Sequence, residues 1–125
     1  SMTERERVAD GKGGRAACSV EKQWGAMHLF DALINNPART PSSMLYSPDD
    51  WLLMLVDHEH AFGTLRGRPA YLGITELAVG DQWRAALLEL DDKSLRASLG
   101  DVLNRRQLKA LGARRDALLK HSNEP

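Results

Sequence analysis

The spacing of apolar residues changes twice between Ser19 and Asp57, and no other feature limits the fold as much. Val20, Trp24, Met27, Phe30, Leu33 and Ile34 recur at three and four residues, which lays them along one helical face. This helix should stop near Asn35 and Asn36, because Pro37 disfavours helical geometry in the residue before it. Asn36 to Ser43 holds two prolines among small polar residues and reads as a loop. Met44-Leu45-Tyr46 and Trp51 to Val56 follow, separated by Ser47-Pro48-Asp49-Asp50, which spells two short strands and a turn. The second run is apolar at nearly every position and is expected to be covered on both faces, with a short helix as the competing reading.

Asp57 to Gly80 has no sustained period and contains Gly63, Gly67, Pro69 and Gly73, predicting a long irregular connection with one short helical turn. Asp81 can cap a helix carrying Trp83, Leu87, Leu88 and Leu90, and Asp91 a shorter one carrying Leu95 and Leu99. Asn104 and Gln107 have capping-box spacing for a last helix with Leu108, Leu111, Leu118 and Leu119 as its apolar stripe. Thr3 to Ala17 alternates charged with small residues and offers little apolar area against the entropy of ordering. The expected division is a flexible leader at 1–17, one domain at 18–122 and a tail at 123–125. The expected class is α+β, mostly α, with a small β-hairpin.

A chain of 125 residues suits a single domain. Its 17 basic residues balance 17 acidic ones, so there is no overall pull toward nucleic acid or anionic lipid, and no specific nucleic-acid partner is expected. The single cysteine, Cys18, cannot form an internal disulfide, which fits a reducing compartment and makes the cytoplasm the expected location. No apolar run approaches the roughly 20 residues needed to span a bilayer, so no membrane association is expected.

The order helix, proline-containing loop, strand, turn, strand, then Asp57-His58 resembles the catalytic region of bacterial kinase-like proteins related to HipA-type and phosphatidylinositol 3/4-kinase-like enzymes. The resemblance rests on Phe30 to Tyr46 and Trp51 to His58, and extends more weakly to Leu99-Gly100-Asp101, Arg105-Arg106-Gln107 and Ala113-Arg114-Arg115-Asp116. In those families an Asp-Arg pair is followed by an Asn five residues after the Asp, and an Asp-His pair ends the second strand. One carboxylate orients the attacking hydroxyl, while an amide and a second carboxylate hold magnesium against the nucleotide phosphates.

The resemblance implies a helical kinase-like C-lobe in which Asp57 is the metal aspartate, and Arg39 and His58 are remnants of the two pairs. Ala38 stands at the catalytic aspartate and has no group to accept a proton. Ser43 stands at the magnesium-binding asparagine, where its hydroxyl is a weaker ligand. A nucleotide-binding lobe would need roughly another 80 to 100 residues upstream, and Gly11-Lys12-Gly13-Gly14 is too short to replace its glycine-rich loop.

The expectation is a catalytically inactive, pseudokinase-like module that binds a protein partner or itself and needs no cofactor. The surface uncovered by a missing lobe would include Met44, Tyr46 and Trp51. The alternative is half of a split phosphotransferase that binds magnesium and ATP through Asp57.

Other residues have plainer readings. In an extended chain His58 and His60 would share a face, yet two imidazoles alone rarely hold zinc. His28 reads as a packed side chain, His121 as part of a fraying tail, and Trp24, Trp51 and Trp83 as core anchors. Arg105, Arg106, Arg114 and Arg115, diluted by Asp101 and Asp116, read as a solvated face.

Overall fold

The computed structural model describes residues 2–3, 14–15, 18–47 and 52–122. Trp51, the turn at 48–50, most of the expected leader and the tail at 123–125 lie outside the described residues. The fold is α+β and mostly helical, as expected from the sequence. In chain order the elements are β1 (Met2–Thr3), β2 (Gly14–Arg15), β3 (Cys18–Ser19), α1 (Val20–Ile34), β4 (Met44–Tyr46), β5 (Leu53–Leu55), α2 (Asp81–Glu89), α3 (Asp92–Leu99) and α4 (Arg105–Ser122). Short 3-10 turns at Pro41–Ser43 and Ala70–Leu72 interrupt the connections.

Local chemistry sets the helix ends. Ser19 caps α1 by accepting from the Lys22 amide at 3.2 Å. Asp91 caps α3 through the Ser94 amide at 2.8 Å. Asn104 and Gln107 form the expected reciprocal box ahead of α4, at 2.9 and 2.8 Å. Asp81 is the first residue of α2 rather than its cap, a position taken by Gly80. An acidic residue in the first turn still complements the helix dipole there.

β4 and β5 form an antiparallel hairpin with Met44 opposite Leu55, Leu45 opposite Met54 and Tyr46 opposite Leu53, and β1 pairs with the other edge of β4. The second strand is covered on one side only: Leu52 and Met54 are exposed, against the expectation of burial on both faces. The outward-facing amide of Leu53 donates to Gln23 Oε1 at 2.6 Å, so α1 covers part of the sheet edge.

The main core forms where Leu29 and Ala32 of α1 meet Leu72 and Leu77, Leu87 of α2 and Leu118 of α4. Trp83 packs against this core, and Trp24 against a smaller cluster of Val20 and Tyr46, as expected of anchors. Trp24 Nε1 also donates to the Tyr46 hydroxyl at 2.9 Å, giving a buried phenol a partner.

Two corrections follow from burial. Met44 and Tyr46, expected on a partner surface, are 4% and 0% exposed and belong to the interior face of the hairpin. Arg114 and Arg115, expected on a solvated face, are 2% and 8% exposed. Arg115 is tied to Asp92 and Asp116 at 3.0 and 2.9 Å and donates to the Leu90 carbonyl at 2.6 Å, while Arg114 reaches inward.

Candidate functional site

The segment from Phe30 to Asp57 converges on the carboxylate of Asp31, which is fully buried. Asp31 lies on α1 four residues after Met27 and so shares its inward face. A charge in that position needs partners, because burying an unpaired carboxylate costs several kcal/mol or more. Arg39 supplies two, through Nε to Oδ2 at 3.0 Å and Nη2 to Oδ1 at 2.5 Å. Asn36 Nδ2 donates to Oδ1 at 3.2 Å and the Tyr71 hydroxyl to Oδ2 at 2.5 Å. Four donors fill the acceptor positions of one carboxylate.

Arg39 also holds the hairpin to the helix. Its Nη1 donates to the carbonyls of Ser43 and Val56 at 3.3 and 3.1 Å, one on each strand's approach, and its side chain is 1% exposed. The planar guanidinium thus joins α1, the proline-containing loop, both sides of the hairpin and, through Asp31, the turn bearing Tyr71.

Burial and the bond to Asp31, in that order, push the Tyr71 hydroxyl well above the usual tyrosine range. The folded state therefore favours the neutral phenol. Above a pH of about 10 the unfolded chain gives up this proton while the folded chain keeps it, so stability should fall as pH rises further. Tyr71→Phe should cost about 1.5 kcal/mol near neutral pH, the low end for a hydrogen bond to a charge because the ring is half-buried, and should flatten that alkaline decline. Urea unfolding at pH 7 and 11 measures both effects.

The residues singled out by sequence sit around this network in unequal states. Ala38 is exposed and has no polar group to present. Ser43 is buried; its hydroxyl donates to the Thr40 carbonyl at 2.9 Å and accepts from the Thr40 amide at 3.1 Å, so it caps a turn instead of facing a cation. Asp57 lies just beyond Val56, whose amide donates to the Ser43 carbonyl at 3.1 Å, and it is exposed in a left-handed conformation with φ 56°. His58 turns inward, its ring edge-on to Phe30 with centroids 5.8 Å apart, while His60 is exposed beside Glu59. The Ala61 amide bonds back to the His58 carbonyl at 3.1 Å, so this stretch turns and the extended geometry assumed for a two-histidine site is absent. Among the described residues no group of three His, Cys, Asp or Glu could hold a metal ion.

A second polar centre closes the C-terminus of α1, which has no basic residue in its own last turn. Asn35 adopts a left-handed conformation with φ 55°, and its amide and that of Asn36 bond the Asp31 carbonyl. The Phe62 amide takes the Ile34 carbonyl at 2.5 Å. Arg114 of α4 takes the Leu33 carbonyl through Nε at 2.8 Å and the Gly63 and Leu65 carbonyls through Nη1 at 3.1 and 2.5 Å. A Cβ on Gly63 would come within 2.6 Å of Asn35 Oδ1, so only glycine fits this approach without displacing that side chain.

Sequence reasoning gave no role to Asp31 or Tyr71, read Asn36 only as part of the helix stop, and placed Arg114 on a solvated face. Asp31 was visible as an acid inside an apolar helical stripe. Tyr71, 40 residues away, left no such signal.

Fold and site together define an α+β domain in which a helix, a proline-containing loop and a hairpin are joined by an internal carboxylate and guanidinium. Compared with family models, curated proteins and solved structures, the chain matches none of them. Among the described residues no helix is long and apolar enough to cross a membrane.

Proposed function

We propose that the chain is a catalytically inactive kinase-like C-lobe that acts as a protein-interaction or regulatory module. The observation that carries this reading is the state of the loop's polar residues. At the positions implied by the kinase-like resemblance, Ala38 is inert, the Arg39 guanidinium makes four hydrogen bonds to Asp31 and two carbonyls, and the Ser43 hydroxyl is used within its own turn. Asp31, the carboxylate that this loop reaches in the hydrogen-bond network, is fully buried and already accepts four donors, which leaves its oxygens no open position toward a substrate. For the binding role, support comes from the hairpin, where Leu52 and Met54 are exposed.

The second reading, half of a split phosphotransferase, draws on Asp57, an exposed carboxylate at a strand end. Thermal unfolding with magnesium and ATP separates the two. Under the inactive-module reading the wild type should shift by less than about 1 °C at millimolar ligand, and Asp57→Ala should behave identically. A rise of several degrees that disappears in Asp57→Ala would reject that reading in favour of the split enzyme.

A further inference from the structure

Arg114 is a buried cation without a carboxylate partner among the described residues. Its Nε and Nη1 bond only to backbone carbonyls, and its Nη2 is buried with no partner there. Guanidinium stays charged at any physiological pH, and the helix terminus it meets offers partial negative charge and no full counter-charge. Burial alone lowers its proton affinity, as expected where nothing compensates the charge.

The same side chain contributes to the wall of a cavity of about 130 Å³ between the end of α1, the loop at 66–68 and α4. Arg66, Arg68 and His121 also line it, Leu77 and Leu118 supply apolar wall, and none of the described lining residues is acidic. Among the described residues Arg68 uses only Nη1, on the carbonyls of Gly73 and Thr75 at 3.3 and 2.5 Å. His121 Nε2 lies 2.6 Å from the Leu77 carbonyl, which can only accept, so the proton is on Nε2. The space exceeds what one water occupies, roughly 30 Å³ in the liquid, and suits a small tetrahedral or planar oxyanion.

We infer that this cavity is a binding site for a small oxyanion of the phosphate or carboxylate class, held by Arg114 together with Arg66 and Arg68. The anion supplies the missing counter-charge and accepts charge-assisted hydrogen bonds from fork-shaped donors, the geometry that suits arginine. The site lies on the helical side of the domain and is independent of the kinase-like reading of the Ala38 to Asp57 region.

The test is thermal unfolding of the full chain in inorganic phosphate, in acetate and in chloride at equal ionic strength, for the wild type and for an Arg66→Ala, Arg68→Ala variant. Both substituted residues are exposed, so the variant should fold even if Arg114 itself cannot be replaced. Saturating anion should raise the wild-type midpoint by about 4 °C or more relative to chloride, and the variant should lose most of the rise. A response to phosphate alone assigns the phosphoryl class, to acetate alone the carboxylate class, and to both oxyanions in general. A wild type that responds equally to all three salts overturns the site. So does a rise retained in the variant, which would mark general exclusion of the salt from the protein surface.

Discussion

Asp31→Ala should destabilise the domain by about 3–5 kcal/mol, because it leaves the Arg39 guanidinium buried without its counter-charge. The Arg39 side chain is 1% exposed and the shared network reaches Tyr71 and Asn36, so the loss spreads beyond one ion pair. Urea unfolding followed by circular dichroism measures it. Against a total stability of about 5–15 kcal/mol for a domain, much of the population should unfold. The double change Asp31→Leu with Arg39→Met should recover a large part of the loss, since replacing both buried charges by apolar groups is often neutral or better. If Asp31→Ala alone unfolds at the wild-type urea concentration, the network does not hold the hairpin to α1.

Arg114→Ala should cost about 3 kcal/mol or more. Relief from burying a cation is outweighed by the loss of three charge-assisted hydrogen bonds to the Leu33, Gly63 and Leu65 carbonyls, each worth about 1.5 kcal/mol where partly buried, and by the space left in the packing. The effect has a local signature as well. The Phe62 amide bonds the Ile34 carbonyl within the segment that Arg114 pins, so hydrogen exchange at Phe62 should accelerate more than exchange in the middle of α2. Arg114→Lys keeps the charge but not the fork that spans three carbonyls, and should recover only part of the stability. A variant with unchanged urea midpoint and unchanged Phe62 protection would show that the loop at 62–65 stays in place without it.

Much of the architecture was legible because it follows from short-range rules. The three- and four-residue spacing before Asn35 gave α1, Pro37 marked its end, and Asn104 with Gln107 marked the start of α4. The hairpin was legible from its apolar runs, but which faces were covered was not. Met44 and Tyr46 turn inward while Leu52 and Met54 stay exposed, because α1 lies on one side of a two-sided apolar ribbon and a sequence run of that kind does not say which side. Arg114 and Arg115 misled for a similar reason: charged residues on a helix are usually solvated, and only the approach of α1 and the loop at 63–65 turns Arg114 into a buried donor.

The sequence by itself determined the four helices and the β4–β5 hairpin, their order and the caps at Asp91 and Asn104, since propensity, capping and proline sterics act over three or four residues. It also determined that Ala38 has no catalytic group to offer. The tertiary structure alone decided that Asp31 would gather Arg39 and Tyr71, and that Arg114 would line a basic cavity without an acidic partner among its described lining residues. Those outcomes depend on contacts between residues as many as 81 positions apart, as between Arg114 and Leu33, where burial rather than local chemistry sets which polar groups must find each other.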